Sequence, residues 1–315
     1  MPGPAEGRTM RVCEVTGFGG PEVLSAGERS WPAPAAGEVV VRIDAANVNP
    51  TDLGARSGAH ARRMPDLRPP FVPGWDLSGT VEQLGARATG FALGEPVVGM
   101  IPWVRIGGRV GAYAQAAAVD PIWLATRPDE LDEITGATVP LNALTARQTL
   151  DLIGASPGAT LLVTGASGAV GSFATQLAVK DGLRVRAVAA DGDEHWVASL
   201  GADEVLPRST NLAELEQVDA VLDAVPVGQP AAACVRDGGV AVFTRRVELE
   251  LDRDVRVEMP LVDSDPGALA ELTRQVASGE LRTRIAKTLD LAEAGEAHRL
   301  VERGGLRGKI VLTTS

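Results

Sequence analysis

Hydrophobic and polar positions follow two different patterns along this chain. Over the first ~125 residues, short β-branched runs are separated by Gly and Pro, which is typical of a compact, mostly β domain. These runs lie at Arg11–Val15, Glu38–Ile43, Gly79–Leu84, Pro96–Met100 and Gly111–Val119. From about Glu130 onwards, helical segments alternate with short apolar runs. This alternation predicts a parallel sheet covered by helices.

The second pattern predicts a series of helices and strands up to the C-terminal part of the chain. A helix over Leu131–Asp151 is expected to break near Pro140, because proline interrupts helices. Strands and helices then alternate: Leu161–Thr164, helix Ala169–Lys180, Arg184–Ala189, helix Asp193–Leu200, Glu204–Leu206, Ala220–Asp223 and Val240–Thr244. Near the C-terminus we expect a helix at Pro266–Gly279 with an Asp265 cap, a helix at Leu291–Glu302 and a strand at Lys309–Thr313.

Length, composition and charge exclude several classes of protein but do not indicate a reaction. The 315 residues are 45% hydrophobic, which is enough for two domains with buried cores. The net charge of −11 argues against nucleic acid or an anionic membrane surface as a partner. No apolar run approaches the roughly 20 residues of a membrane span. The two cysteines, Cys13 and Cys234, cannot form a disulfide framework, so we expect a cytoplasmic location.

A glycine motif in the middle of the chain carries the strongest chemical signal. The stretch at 160–178 reads TLLVTGASGAVGSFATQLA, an apolar run followed by Gly165, Gly168 and Gly171 and then by a helical pattern. Glycines let the backbone turn tightly and approach a pyrophosphate, whose charge the amides and dipole of the new helix bind. A strand, this motif and a helix in that order predict a dinucleotide-binding unit.

The same motif resembles the opening of the short-chain dehydrogenases, which use a Tyr-x-x-x-Lys pair as catalytic acid. Here the motif lies in mid-chain, after a whole β domain. The single tyrosine, Tyr113, is followed four residues later by Ala117. Both position and chemistry therefore count against a short-chain dehydrogenase.

A second set of short motifs extends over nearly the whole chain. They run in the order GFGGPEVL (17–24), NVNPTD (47–52), RSG (56–58), PGWDLSG (73–79), GAYA (111–114), LTA (144–146), the glycine motif, LGAD (200–203) and GKIVL (308–312). By these motifs, residues 10–315 resemble the medium-chain dehydrogenase/reductase superfamily, in its zinc-free, quinone-oxidoreductase-like branch.

This resemblance implies an α/β fold with two domains and an active site in the cleft. A GroES-like, mostly β catalytic domain would comprise residues 1–125 and 266–315. A Rossmann domain with a doubly wound parallel sheet would comprise residues 126–265. Relatives are commonly dimers joined through the cofactor domain, so a homodimer is expected.

Zinc members of the superfamily hold a catalytic metal with Cys, His and a second Cys. Here the first ligand position is Asn49 and the His position is Trp75, followed by Asp76. Zinc prefers thiolate and imidazole ligands in tetrahedral geometry. Two cysteines cannot supply the four that a structural site requires, and the three histidines match no ligand position. We therefore expect no zinc.

Four side chains are candidates for catalysis, each with a structural alternative. The Asn49 amide either hydrogen-bonds the acceptor or the cofactor, or satisfies backbone groups in a buried turn. Arg56 either polarises an acceptor oxygen or forms a structural ion pair. Trp75 either lines the cleft or packs in the core. Tyr113 acts either as a catalytic acid or as a packing residue. Relatives often have Tyr or Lys where Gly54 stands, so a candidate proton donor is missing.

The glycine motif and the resemblance together give the expected cofactor-binding residues. They are Thr145, Gly165, Ala166, Ser167, Gly168, Ala169, Val170, Gly171, Asp191, Arg208, Asp223, Ala224, Val225 and Thr244. An acid at Asp191 accepts a hydrogen bond from a ribose 2′-hydroxyl and repels a 2′-phosphate, which favours NADH. The family as a whole and Arg208 favour NADPH. NAD(H) and NADP(H) therefore both stay open.

These observations lead to a zinc-independent, NAD(P)H-dependent oxidoreductase that transfers hydride to a quinone or an α,β-unsaturated carbonyl acceptor. Without a metal as Lewis acid, the acceptor must already be electrophilic, and the protein mainly aligns it with the nicotinamide. The alternative is a cofactor-binding protein of the same fold without redox turnover, such as a non-redox cyclase or a scaffold. The expected partner is a small-molecule substrate.

Overall fold

The computed structural model describes residues 7–314. The strands, in chain order, are β1 (Thr9–Val15), β2 (Leu24–Ser30), β3 (Val39–Val48), β4 (Asp76–Leu84), β5 (Pro96–Met100), β6 (Ala116–Val119), β7 (Leu124–Thr126), β8 (Thr160–Thr164), β9 (Arg184–Ala189), β10 (Glu204–Pro207), β11 (Val218–Asp223), β12 (Val235–Phe243), β13 (Val255–Glu258), β14 (Ile285–Asp290) and β15 (Lys309–Thr313). The α-helices are α1 (Pro50–Arg56), α2 (Glu133–Ala137), α3 (Pro140–Ile153), α4 (Ala169–Lys180), α5 (Glu194–Ala198), α6 (Gln229–Ala233), α7 (Pro266–Ala277) and α8 (Ala294–Arg303).

The chain divides into two compact units. The first, here the catalytic unit, comprises the described residues up to Leu141, Asp263–Glu280 and those from Arg284 onwards. The second, the dinucleotide unit, comprises Asn142–Val262 and Leu281–Thr283. The catalytic unit extends beyond residue 125, where the texture of the sequence changes, because α2 packs on β3 and β4.

The catalytic unit is built on a seven-stranded sheet. Its order is β14-β15-β3-β4-β5-β7, and β6 also pairs with β3. In this sheet Asn47 lies opposite Asp76 of β4 on one side and opposite Val311 of β15 on the other. The register thus brings the end of β3, the start of β4 and the start of β15 together, although they are far apart in sequence.

The dinucleotide unit has a six-stranded, parallel sheet in the order β10-β9-β8-β11-β12-β13. From β8 the chain proceeds outwards through β9 and β10, and then returns to the other side of β8 with β11. The direction therefore reverses between β8 and β11, which is where open α/β sheets bind ligands at the carboxyl ends of their strands.

The predicted α/β class, a mostly β part and a parallel-sheet part, is confirmed. The predicted strand over Gly111–Val119 is shorter, because only Ala116–Val119 pairs as β6. A Cβ at Gly111 would lie 2.2 Å from the Val72 carbonyl oxygen, so this stretch follows another loop closely instead of joining the sheet. The helix expected at Leu291–Glu302 begins as a single 3₁₀ turn before α8.

Within residues 7–314, no helix has both the length and the apolar character needed to cross a bilayer.

Candidate active site

The first turn of α1 anchors the candidate site. Asn49 is the N-cap and Pro50 is the first helical residue, an arrangement that favours helix initiation. The Asp52 carboxylate reaches back and accepts a hydrogen bond from the Asn49 backbone N–H at 2.7 Å. This is one half of a capping box, which satisfies a backbone N–H group at the start of the helix.

A buried polar cluster surrounds Asn49. Its Nδ2 donates to Asp76 Oδ2 at 2.7 Å, and the same oxygen accepts from Asn47 Nδ2 at 2.9 Å. Lys309 Nζ donates to Asn49 Oδ1 at 2.9 Å. The Asn49 side chain thus lies between the Lys309 ammonium and the Asp76 carboxylate, with hydrogen bonds to both.

Burial controls the ionisation of this cluster. Removal from water raises the pKa of Asp52 to about 8, and the nearby Asp76 charge adds to the rise. Burial also raises the pKa of Asp76. It lowers the pKa of Lys309 to about 8, although the charges of Asp76 and Asp52 oppose this change. A low-dielectric site with opposite charges in close contact is strongly coupled, so loss of one partner affects the others.

A second chain of hydrogen bonds leads from Asp52 to the surface. Tyr113 Oη donates to Asp52 Oδ2 at 3.3 Å and lies 3.1 Å from His298 Nε2. Arg56 Nη1 lies 3.4 Å from His298 Nδ1 and, being only a donor, fixes that nitrogen as the acceptor. His298 Nε2 therefore carries the hydrogen and donates to Tyr113. Arg56 also pairs with Glu302.

The structure places all four side chains predicted to be catalytic inside the protein. Exposed fractions are 1% for Asn49, 3% for Arg56, 0% for Tyr113 and 6% for Trp75. Asn49, Arg56 and Tyr113 belong to the hydrogen-bonded network just described. Whether each of them acts in catalysis or only in this network stays a prediction.

Trp75 belongs to a row of aromatic rings. Its ring centroid lies 5.1 Å from that of Trp103, which lies 5.3 Å from that of Phe71, and Phe71 lies 6.2 Å from Phe18. At the other end, the His60 ring is 5.8 Å from Trp75. Phe18 is 41% exposed, so the row runs from the core to the surface of the catalytic unit.

In the dinucleotide unit, the glycine motif forms a tight loop between β8 and α4. Gly165 has a φ of +65°, a conformation that side chains rarely adopt. A Cβ at Gly171 would lie 2.3 Å from the Gly165 carbonyl oxygen, so this position requires glycine. The N-cap, Gly168, has no side chain to satisfy the first amides of α4. These amides, which belong to Ala169, Val170 and Gly171, are the donors a phosphate would use.

The residues after β11 lie beside this loop. A Cβ on Gly165 would approach Val225 Cγ1 to 2.6 Å, so the two predicted cofactor segments meet where the sheet changes direction. The Asp223 carboxylate is hydrogen-bonded to Thr164 and accepts from the Gly228 amide at 2.8 Å. Thr244 Oγ1 donates to the Asp223 carbonyl oxygen at 3.1 Å. Asp223 therefore connects the ends of β8, β11 and β12 through hydrogen bonds. Ala224 follows it on the same edge of the sheet.

Ser167, Asp191 and Arg208 also lie at this edge of the sheet. Ser167 Oγ accepts from the Ala190 N–H at 2.9 Å, which fixes the loop that carries Asp191. Pro207 pairs with Ala189, so Arg208 follows β10 beside the end of β9. Ala166 is buried, and Thr145 lies on α3 with 7% of its surface exposed.

Sequence reasoning did not single out Lys309, His298 or His60, which the structure places in or beside the candidate site. One signal for Lys309 was present. The chain has only three lysines among its 30 basic residues, so each lysine is a position at which to look for a reason to avoid arginine. A compact ammonium with three donors fits a small buried site better than a guanidinium.

Comparisons with known proteins identify the family of this chain. Residues 35–129 match the family model for the alcohol dehydrogenase GroES-like domain, and residues 200–312 match one for zinc-binding dehydrogenases. The chain is 30% identical over 313 residues to a 2-methylene-furan-3-one reductase of Solanum lycopersicum, covering 96% of this chain and 79% of the relative. It is 28% identical over 316 residues to an NADPH-dependent alkenal/one oxidoreductase of Arabidopsis thaliana, covering 97% and 80%.

Among solved structures, the quinone oxidoreductase from Coxiella burnetii superposes with a TM-score of 0.86 at 25% identity, covering 98% of this chain and all of that one. Matches of both sequence and structure thus extend over nearly the full length. The chain belongs to the medium-chain dehydrogenase/reductase superfamily, in its quinone-oxidoreductase-like branch, and is an NAD(P)H-dependent oxidoreductase.

Proposed function

We propose that this protein is a zinc-independent reductase that uses NADH or NADPH to reduce quinones or α,β-unsaturated carbonyl compounds. The relatives named above as a furanone reductase, an alkenal/one oxidoreductase and a quinone oxidoreductase support this acceptor class. The observation that carries the zinc-independent part is the hydrogen bond from Lys309 to Asn49.

The side chains at the ligand positions do not fit zinc. Asn49 and Trp75 offer an amide and an indole, whereas zinc prefers thiolate and imidazole. The Asn49 amide oxygen already accepts from the Lys309 ammonium, so a cation is already in contact with the one oxygen that Asn49 offers. With no metal to polarise a carbonyl, the acceptor must be activated by its own conjugation.

The dinucleotide unit fits its cofactor. The amides at the start of α4 would hold the pyrophosphate, and the loop after β9 with Asp191 would meet the adenosine ribose. Bound, the reduced nicotinamide supplies the hydride. The catalytic unit would bind the acceptor, exclude water and supply hydrogen-bond donors to the acceptor oxygen. Its buried hydrogen-bonded network would keep α1 in a fixed position during hydride transfer, and the row of aromatic rings would do the same for Trp75.

The test is a steady-state assay on purified protein dialysed against EDTA. We expect oxidation of reduced cofactor with menadione and with an α,β-unsaturated ketone, none with the matched saturated ketone, and less than stoichiometric zinc by elemental analysis. Stoichiometric zinc together with activity lost on chelation would refute the metal-free mechanism. Tight cofactor binding without turnover of any acceptor would favour the cyclase or scaffold. The cytoplasmic location stays a prediction.

A further inference from the structure

A segment with several positive charges lies on the surface beside α1. Residues 57–70, here called the arginine segment, include three arginines and a single acidic residue, Asp66. All four of these charged residues are exposed. The chain as a whole carries a net charge of −11, so the arginine segment is opposite in sign to the rest of the sequence. A local positive field of this kind raises the concentration of anions at one place on the surface.

The backbone of the arginine segment is anchored to the catalytic unit. A single 3₁₀ turn at His60–Arg62 follows α1 and packs against it. The His60 carbonyl oxygen accepts hydrogen bonds from the backbone N–H groups of Arg63 at 2.9 Å and of Met64 at 3.1 Å. The side chains of Met64 and Leu67 are buried in the core of the unit. The two neighbouring arginines of this turn therefore extend into solvent from a backbone whose position is fixed.

His60 connects this turn to α1 and to Trp75. Its Nε2 lies 3.0 Å from Thr51 Oγ1, and its ring centroid lies 5.8 Å from that of Trp75. Burial lowers the pKa of His60 and the positive charge of Arg63 lowers it further, although a hydrogen bond with Thr51 opposes both effects. The Arg63 guanidinium is thus close enough to act on a ring that packs against Trp75. Because Trp75 stands at a metal-ligand position of the zinc members, the arginine lies near the expected place of reaction.

Arg62 and Arg63 keep their charges free for a group outside the chain. Among residues 7–314, neither guanidinium forms an ion pair or a side-chain hydrogen bond. By contrast, Arg56 on α1 pairs with Glu302, and the Arg68 guanidinium donates to carbonyl oxygens of its own loop. A guanidinium binds a carboxylate or a phosphate through two parallel hydrogen bonds, which gives the contact both strength and direction.

We propose that Arg62 and Arg63 bind a negatively charged group of the acceptor, an inference that rests on the reductase function proposed above. The preferred substrates are quinones or enones that carry a carboxylate or a phosphate on a short side chain. The anion contacts the two guanidinium groups, while the conjugated end lies towards Trp75 and the start of α1. The charged group takes no part in hydride transfer, so it acts through binding and orientation of the acceptor.

Two acceptors that differ only in charge test the proposal. One is a naphthoquinone with a propanoate side chain and the other is its methyl ester, so the reactive ring is the same. We expect kcat/KM for the propanoate to exceed that for the ester about tenfold at low salt. This ratio should fall as the salt concentration rises to about 300 mM, because salt screens exposed charges. A naphthoquinone with a phosphate on the same side chain shows which of the two anions is preferred.

Arg62→Gln and Arg63→Gln, alone and combined, identify the side chains responsible. Each single variant should lower the propanoate-to-ester ratio about threefold, and the double variant should bring it close to one. Arg87→Gln is the matched control. Arg87 is also exposed, and it lies beyond the end of β4 that is opposite to Asp76. Both acceptors are assayed on the same preparation, so the ratio does not depend on the folded fraction. A ratio near one in the wild type, or an unchanged ratio in the double variant, would overturn the proposal.

A binding measurement separates this proposal from the reductase function. Quenching of tryptophan fluorescence by the two naphthoquinones, in the presence of oxidised cofactor, gives their affinities without turnover. If the wild type binds the propanoate more tightly, the double variant loses this difference and neither compound is reduced with NADH or NADPH, the reductase function fails and the anion site stands. If both compounds are reduced but bind equally well at low salt, the reductase function stands and the anion site fails.

Discussion

Lys309 donates a hydrogen bond to Asn49 across 2.9 Å, although 260 residues separate them in sequence. The contact is possible because β15 pairs with β3, which places Ile310 opposite Val48. Lys309, the first residue of β15, thus supplies the ammonium group of a cluster whose carboxyl groups come from α1 and β4.

Lys309→Met should destabilise the fold. Removing one member of a buried pair leaves the other uncompensated, and we expect the free energy of unfolding to fall by about 3 kcal/mol. Lys287→Met, on the exposed strand β14, is the control and should change it by less than about 0.5 kcal/mol. Urea unfolding at pH 7 measures both. Equal stability of the two variants would show that the Lys309 contact contributes little.

Asp52 should make stability depend on pH in a defined window. Its pKa is about 8 in the folded protein against an ordinary value of 3.8, so in between the folded state holds a proton that the unfolded chain releases. The free energy of unfolding therefore decreases as the pH rises from about 4 to about 8, and below this window Asp52 has no effect.

Asp52→Asn removes that titration and keeps an oxygen for the Asn49 amide. The stability of the variant relative to wild type should increase steadily between pH 5 and pH 8 (a window that follows from the shifted pKa of Asp52), as followed by urea midpoints. A difference that is constant across the window would contradict the raised pKa of Asp52.

Tyr113→Phe separates packing from catalysis. The substitution leaves Asp52 and His298 each without one hydrogen bond in a buried site, which should cost about 1–2 kcal/mol of stability. Because the phenol is enclosed, we expect kcat to stay within about threefold of wild type. Thermal unfolding and a steady-state assay measure the two effects. A loss of kcat near that of a removed general acid, with stability unchanged, would reassign Tyr113 to the chemistry.

Two residues at the edge of the dinucleotide unit should set cofactor preference in opposite directions. Arg208 follows β10 beside the end of β9, so Arg208→Ala should weaken NADPH binding about tenfold and leave NADH binding unchanged. Asp191→Ala should strengthen NADPH binding, because it removes a charge that repels a 2′-phosphate. Tryptophan quenching measures both affinities. Arg236→Ala, at the amino end of β12, is the control, and an equal loss of both cofactors in R208A would exclude a phosphate contact.

The outer edge of β13 is a candidate dimer interface. Within residues 7–314 this strand pairs only with β12, and Val257, Met259 and Leu261 in and after it are 43%, 46% and 79% exposed. An unpaired strand edge with exposed apolar groups favours pairing with a second copy of the chain. We expect a dimer by light scattering and a monomer for Val257→Lys. Ile285→Lys, on the edge strand β14 of the other sheet, should remain dimeric.

Sequence patterns located the elements whose signals are local. The bounds of β5, β9, α4 and β15 coincide with the predicted ones, because apolar periodicity, glycine and caps are read within a few residues. By contrast, β13 and β14 were missed. Their residues are mostly exposed, so no apolar run marks them, and only pairing with a neighbouring strand makes them extended.

The candidate site shows the same difference between local signals, which the sequence reveals, and long-range contacts, which it does not. The glycine loop could be predicted because its chemistry lies within seven residues of sequence. The polar cluster could not, since its geometry depends on the register of β3 with β4 and β15. Sequence reasoning identified Asn49, Arg56 and Tyr113 as notable residues, yet it could not show that they hydrogen-bond within a buried network.

The position of Lys309 at the start of β15 also has a consequence for biosynthesis. The dinucleotide unit is nearly contiguous and can fold while the ribosome is still translating the segment that follows it. The sheet of the catalytic unit cannot be completed until β14 and β15 have emerged, because β15 forms one side of β3. Translation in this order therefore lets the dinucleotide unit fold before the buried polar cluster of the catalytic unit can form, because Lys309 is made only after the whole dinucleotide unit.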